Sequence, residues 1–215
     1  MNWLGYFKRE WIRPEIDTFD GNGFYAAKSV LYDETRYLVG FLDHKKRNSD
    51  ILEYTWAGSI MPYKLVQKAD STLGVTIPDQ FMDYFKNGAD IKEQDMKVTS
   101  TESQGTLPRK MLLEGKVTFN NTGGKAGFSL GDYRVTIDPE QQKIIYDAFE
   151  NSQKCRLGAG KTYDIKLIVE KEIVVLYVND EKALSNRIYS AVNNEWQIFI
   201  EGDAEFSDID IYVLD

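Results

Sequence analysis

Cysteine and histidine are nearly missing from this sequence: Cys155 and His44 are the single representatives among 215 residues. An internal disulfide is therefore excluded, and no transition-metal site can be assembled from the usual His and Cys ligands. A calcium loop is copied only at its opening, Asp20-Gly21-Asn22-Gly23, because the carboxylate required further on is replaced by Ser29, Val30 and Leu31 in a strand. No metal and no cofactor are expected. Nucleophilic catalysis by a Ser-His-Asp or Cys-His set would have to be built around His44, which sits in a charged loop, so it is not expected either. Cys155 reads as a partly buried thiol without a chemical role. Its solitude leaves the redox compartment open, since a protein of this size need not be bridged.

Long apolar runs are also lacking. None approaches the roughly 18 to 20 residues of a membrane span, and the start of the chain has no apolar core of a signal peptide. No membrane partner is expected. A complete chain of this kind would be cytoplasmic, whereas the end of a longer precursor would have any export signal outside it. Basic stripes are missing too: 26 Lys and Arg stand against 34 Asp and Glu, a net charge of −8, which argues against nucleic acid. The nearest approach, His44-Lys45-Lys46-Arg47, reads as a solvated loop tip. Gly158-Ala159-Gly160-Lys161-Thr162 resembles the end of a phosphate-binding loop, but Cys155 holds the first glycine position and a strand follows, so it reads as a hairpin turn.

What is present is a succession of short strands, which predicts an all-β chain. The stretch 163–189 organises it. Tyr163, Ile165, Leu167 and Val169 alternate with polar residues, Ile168 being the one apolar residue on the polar side. The second arm, 173–178, is apolar on both faces and needs cover on each. Leu176 is expected at its centre, Asn179-Asp180 marks the turn that follows, and Arg187 is placed to pair with a strand carboxylate. From about residue 95 onward, strands at 96–100, 111–120, 126–130, 133–137, 143–149, 196–201 and 206–214 recur between explicit turns, the pattern of a β-sandwich.

Before it, strands are predicted at 24–31, 36–42 and 54–66, with Pro62 suited to an edge or bulge. One helix is predicted over 79–87, with Phe81, Met82, Tyr84 and Phe85 on its apolar face and Gly88 as its stop. Residues 1–15 show no clean period and read as a displaced strand. Three strands are too little for an independent core, so apolar surface from Phe24, Val30, Val39 and Phe41 is expected to favour association.

Two stretches resemble glycoside hydrolase family 32, the invertase, levanase and inulinase group. Val178-Asn179-Asp180 followed by Ala183-Leu184-Ser185-Asn186-Arg187-Ile188-Tyr189 resembles the sandwich-domain signature of that family, V-N-D or V-N-G and then A-L-T-x-R-I-Y. Phe24-Tyr25-Ala26-Ala27-Lys28 resembles its D-F-Y-A-x-Q element and Thr55-Trp56-Ala57-Gly58 its G-W-A-G element, both in the fifth blade of the catalytic propeller. Gly23 stands where the family has the Asp of the first element, and Gly40-Phe41-Leu42 where it has a Trp-containing strand. The nucleophile motif W-M-N-D-P-N-G, the stabiliser motif R-D-P and the acid/base motif E-C-P do not occur: Ile137 precedes Asp138-Pro139, and Lys154 precedes Cys155.

The resemblance implies a propeller-blade remnant over 1–74, a linker with a short helix over 75–94 and a jelly-roll-like β-sandwich over 95–215. It implies the C-terminal portion of a sucrose or fructan hydrolase, structural or sugar-binding and without the catalytic carboxylates. Catalytic residues are then none. Tyr25 and Trp56 are the expected sugar-contacting residues, and Leu176, Asn179 and Arg187 the structural ones. The expected partner is a fructan- or sucrose-like carbohydrate, with either a homo-oligomer or an N-terminal catalytic part completing the assembly. Two alternatives stand beside this reading: a free-standing carbohydrate-binding sandwich, and an enzyme whose carboxylate pair has no recognisable motif.

Overall fold

A computed structural model describes residues 16–49, 52–121, 123–148, 151–191 and 193–214. The displaced strand read at residues 1–15 lies outside the described residues. The expected all-β architecture is present: among the described residues sixteen strands form three antiparallel sheets, with one α-helix and a short 3-10 turn at Lys46–Asn48. The first sheet has the order β1 (Phe24–Tyr32), β2 (Thr35–Lys45), β3 (Tyr54–Gln67), β4 (Leu73–Thr76). Helix α1 (Asp79–Gly88) follows, and the remaining twelve strands build two six-stranded sheets.

One of these, the middle sheet, has the order β14 (Lys182–Arg187), β13 (Ile173–Val178), β12 (Thr162–Glu170), β7 (Lys110–Phe119), β16 (Ala204–Leu214), β5 (Asp90–Val98). The far sheet has the order β11 (Asn151–Arg156), β10 (Lys143–Ala148), β9 (Tyr133–Asp138), β8 (Lys125–Leu130), β15 (Glu195–Glu201), β6 (Glu102–Thr106).

At β13 and β14 the middle sheet is buried on both faces, which explains the two-sided apolar pattern of β13, whereas its other edge, β5, is largely exposed. Val174, Leu176 and Val178 face the far sheet with Ile165, Leu167, Leu113 and Phe206. Val175 and Tyr177 face the other way and join a second core with Tyr63, Val75 and Phe85. Ile168, the apolar residue out of phase in β12, belongs to this second core, as does Leu112 of β7. The register makes this one row, since Ile168 pairs with Val175 on one side and Leu112 on the other. The first sheet and α1 are therefore the cover that the second face of β13 requires.

Several strands depart from the sequence reading, each for a local reason. The first sheet gains a fourth strand, β4, too short for a periodic signal and held against Lys64–Gln67 of β3. Because β4 reaches only these residues, Pro62 lies in an inner strand with no ladder partner on the β4 side. β6 and β11 were missed because Glu-Ser-Gln-Gly-Thr and Asn-Ser-Gln-Lys-Cys-Arg are polar edge strands. In α1, Phe85 is buried and Met82 packs beside it, whereas Phe81 and Tyr84 are exposed, so the apolar stripe is narrower than predicted. In β16 the alternation is interrupted once: Phe206 and Ile209 both face the core because a bulge at Asp208, with φ of 54°, shifts the register. Gly115 makes room for it, since a Cβ there would lie 2.3 Å from Cδ1 of Ile209.

The last residue of β2, Lys45, is not part of a solvated tip. It is 2% exposed, its ammonium lies 5.2 Å from the Tyr54 ring centre, and its backbone N–H donates to the Tyr189 hydroxyl at 2.9 Å. Gly158–Lys161 lies in the loop between β11 and β12, which belong to different sheets, so it is a crossover and not the expected hairpin turn; the Tyr163 hydroxyl closes it by donating to the Gly160 carbonyl at 2.8 Å.

Leu176 is fully enclosed between the two sandwich sheets. Leu176→Ala is expected to lower stability by about 2–5 kcal/mol, and Tyr25→Ala, at a side chain 50% exposed, by less than about 1 kcal/mol. Urea unfolding of the two variants checks this, and an equal or larger loss for Tyr25→Ala would reverse the assignment of the core.

Candidate functional site

The two faces of the first sheet differ. Alternation along β2 and β3 sends Leu38, Leu42, Met61, Tyr63 and Leu65 inward, onto the middle sheet. Phe24 joins them, its ring stacked on Tyr63 at 4.7 Å, and does not contribute exposed apolar surface as the sequence had suggested. The reason is a bulge between Tyr25 and Lys28, where Ala26 has φ of 51° and the phase of β1 changes.

The opposite face holds the sugar-contacting candidates, and the fold brings them together. Tyr25 lies opposite Phe41 in the β1–β2 register, and Trp56 reaches both. The three rings meet edge to face with centres 5.6 to 5.7 Å apart, the geometry favoured by their quadrupoles. Trp56 is 76% exposed and Ile60, further along β3, 74%. Asp43, two residues beyond Phe41 on the same strand, has one enclosed carboxyl oxygen with no hydrogen-bond partner among the described residues. Burial raises its pKa, against the pull of Arg187 and His44. Nothing in the sequence marks Asp43, because its environment is made by strands that meet only in the fold.

The inner face carries a polar seam. Arg187, at the end of β14, is completely buried. Its guanidinium binds Glu172 in the β12–β13 turn at 2.6 Å, the Leu42 and Asp43 carbonyls of β2 at 2.9 and 3.2 Å, and the Ser59 hydroxyl of β3 at 3.0 Å. Only a planar fork of donors can satisfy acceptors set apart in this way. Asn179, with φ of 58°, makes the β13–β14 turn and caps β12 through its side-chain oxygen, which accepts from the Asp164 N–H at 2.9 Å.

Its neighbour Asp180 accepts from Lys166 at 2.5 Å and from Thr76 of β4 at 2.6 Å. Gly74 lets β4 come this close, since a Cβ there would lie 2.3 Å from the Asp180 carbonyl oxygen.

Asp20, in sequence only the opening of an incomplete calcium loop, is the other centre of the seam. Its carboxylate accepts from the hydroxyls of Tyr63 and Ser185 at 2.5 and 2.6 Å, and from the N–H groups of Gly21 and Ser185 at 2.6 and 2.9 Å. A chain of side chains continues from Gln153 to the Tyr54 hydroxyl at 2.5 Å and on to Asn186 at 2.6 Å. The segment leading to Asp20 also covers the free edge of β14, where Ala183 donates to the Phe19 carbonyl and Lys182 to that of Thr18. Burial raises the Asp20 pKa, and its hydrogen bonds from Ser185 and Tyr63 offset this only in part. Cys155, close by, is pushed up to about 12 by burial and is an unreactive thiol at neutral pH.

Three concavities lie on the described surface, and one of about 720 Å³ borders the seam at Lys64, Thr76, Lys166 and Asp180. An apolar cleft of about 490 Å³ runs between β3, α1 and the β12–β13 hairpin, lined by Ile60, Pro62, Phe81, Tyr84 and Ile173. A polar groove of about 390 Å³ lies on the far sheet among Ser103, Ser129, Asp132, Asn194 and Gln197. A retaining glycosidase needs two carboxyl groups about 5–5.5 Å apart with free oxygens. Both oxygens of Asp20 are already occupied by donors, so Asp20 and Asp43 do not make such a pair.

No family model and no curated protein matches the sequence. Solved structures do. The fructosyltransferase of A. japonicus matches with a TM-score of 0.66 at 15% identity, over 84% of this chain and 40% of its own. Fructan 1-exohydrolase IIa of Cichorium intybus matches with a TM-score of 0.68 at 13% identity, over 92% of this chain and 49% of its own. A GH32 β-fructofuranosidase of Bombyx mori matches with a TM-score of 0.62 at 17% identity, over 90% of this chain and 41% of its own. The chain thus shares its fold with part of these enzymes and spans less than half of their length.

Arg187→Met would leave the Leu42 and Asp43 carbonyls without a donor and is expected to cost about 3–5 kcal/mol. Arg187→Lys should restore only part, because an ammonium cannot span the same acceptors. Asp20 supplies a pH signature. Its folded pKa is raised above the ordinary 3.8, so in the window from about 3.8 upward the folded state holds more protons than the unfolded one, and stability falls as pH rises. Its contribution is full below that window and lost above the folded pKa. Asp20→Asn should flatten this slope, as followed by urea midpoints from pH 3.5 to 7.5.

Proposed function

We propose that this chain is the C-terminal portion of a β-fructosidase of the glycoside hydrolase family 32 type, acting within a sucrose or fructan hydrolase as its structural or sugar-binding part. Residues 1–74 then represent part of a propeller blade and 95–215 the sandwich, joined by the helical linker. One observation carries the reading. The first sheet and the sandwich, locked by the Arg187 and Asp20 seam, together match enzymes of sucrose and fructan chemistry over 84 to 92% of this chain. The quoted sequence elements, Val178-Asn179-Asp180 with Ala183 to Tyr189, and Thr55 to Gly58, fall on this same seam and sheet.

The chain's share in that function is non-catalytic. Retaining hydrolysis needs one carboxylate to attack the sugar and a second carboxyl to protonate the leaving oxygen, and the three motifs that hold the family's carboxylates are missing from the sequence. Arg187, Asn179 and Leu176 act structurally, and the Tyr25–Trp56 pair is the candidate contact with sugar. The alternative of a free-standing carbohydrate-binding sandwich is favoured by one feature, the exposure of Trp56 and Tyr25.

The purified chain is expected to release no fructose from sucrose or inulin above a blank. Calorimetric titration with fructo-oligosaccharides tests the sugar contact that both readings allow. Saturable binding that Trp56→Ala abolishes supports it, absence of binding leaves only the structural role, and fructose release by the chain alone would overturn both readings.

A further inference from the structure

We infer that the polar groove of about 390 Å³ on the outer face of the far sheet is a binding site for a neutral, hydroxyl-rich oligosaccharide, separate from the Tyr25–Trp56 contact. The inference rests on the sugar-binding part of the proposed function and gives it a place in the sandwich itself. Strand register builds the groove. Gln197 of β15 lies opposite Ser103 of β6 on one side and Ser129 of β8 on the other, and Ser129 lies opposite Arg134 of β9. At the usual strand spacing this row runs about 14 Å across four strands. Gln197 and Ser129 point away from the core, because the residues on either side of them, Trp196 with Ile198 and Phe128 with Leu130, all belong to the core between the two sandwich sheets. Glu195, in phase with Gln197, and Asp132, in the β8–β9 turn, each add a carboxylate to the lining.

The outer face of an antiparallel sheet is ordinarily just solvated, and part of this face is of that kind. Arg134 sits over the Phe199 ring, 3.7 Å from its centre, and binds Glu201 at 2.7 Å, while Lys125 binds Asp138 at 3.1 Å. The groove differs in two respects. Ser103 and Ser129 on either side of Gln197 are too short to cover the strands, so a hollow remains. The side chains of Ser129, Asp132, Glu195 and Gln197 also make no hydrogen bond or ion pair with another described residue, so their polar atoms are free to meet a ligand. Together they offer carboxylate and amide oxygens that accept, and amide N–H and hydroxyl groups that donate. Sugar hydroxyls need this mixture, since each can both donate and accept. Two carboxylates with no Lys or Arg in the lining exclude an anion. Trp196 is the one large apolar residue that the groove touches, and it is 1% exposed, so an apolar segment of another protein finds nothing to bury against.

The test is calorimetric titration of the purified chain with fructo-oligosaccharides and, in a separate arm, malto-oligosaccharides, using wild type, Gln197→Ala, Ser129→Leu and Trp56→Ala. The wild type is expected to bind at least one of the two series saturably. Gln197→Ala removes hydrogen-bonding groups and Ser129→Leu fills the hollow, so each should weaken binding about tenfold or more, whereas Trp56→Ala should leave it within about twofold. Both groove positions lie outside the core, so the urea midpoints of their variants should match the wild type; should Ser129→Leu fold poorly, Gln197→Ala decides. No saturable binding of either series overturns the inference and leaves the structural reading of the chain standing. Binding lost in Trp56→Ala and kept in the groove variants assigns the sugar to the first sheet and overturns it as well. So does saturable binding of spermidine in place of sugar, which would give the two carboxylates to a cation. Groove-dependent binding of malto-oligosaccharides alone keeps the groove and counts against the fructan reading of the proposed function.

Discussion

A completely buried guanidinium holds this fold together. Arg187 leaves the middle sheet at the end of β14 and ends among two backbone carbonyls of β2, a hydroxyl of β3 and a carboxylate from its own sheet. Burying a charge is costly unless each of its donors is matched, so the first sheet must sit where its carbonyls meet the fork. The apolar second core around Tyr63, Val75, Phe85 and Tyr177 supplies the attraction between the layers, and Arg187 supplies their register. Asp20 and Asp180 repeat the device at two other points of the seam, each tying an element of the first sheet or its approach to the β13–β14 region.

This seam gives the first sheet a structural reason to exist within the chain. Four strands with one apolar face cannot sustain a core alone at this size. Packed on the middle sheet, they complete the burial of β13 and are themselves stabilised. The consequence is an asymmetry of faces: the inner face is satisfied by the sandwich, while the outer face, with Trp56 and Ile60, faces solvent among the described residues. The candidate sugar contact, Tyr25 with Trp56, lies on that outer face.

Much of the fold was legible in the sequence where burial is two-sided or the turns are explicit. The hairpin of β12 and β13, its Asn179-Asp180 turn and α1 lie close to their predicted places, because alternation, positive-φ residues and Pro78-Asp79 each leave a local signal. Ile168 was visible as an out-of-phase residue, but its partner face was not, since the row from Leu112 to Val175 forms only on pairing. β6 and β11 escaped because edge strands need no apolar alternation. At the candidate site, Tyr25 and Trp56 were named from resemblance, and the fold sets them side by side. Asp20 and Asp43 were not singled out for the opposite reason: a carboxylate gains its character from strands distant in sequence, and nothing in its neighbours announces it.

The central claim is that the first sheet and the sandwich unfold as one cooperative unit because of the seam. Native-state hydrogen exchange at increasing urea measures this directly, by comparing the amides of β2 and β3 with those of β12 and β13. The account predicts that both sets converge on a single opening free energy in the wild type, and that Arg187→Met separates them, with β2 and β3 opening first. Opening of β2 and β3 in the wild type at a clearly lower free energy, with β12 and β13 still protected, would contradict it.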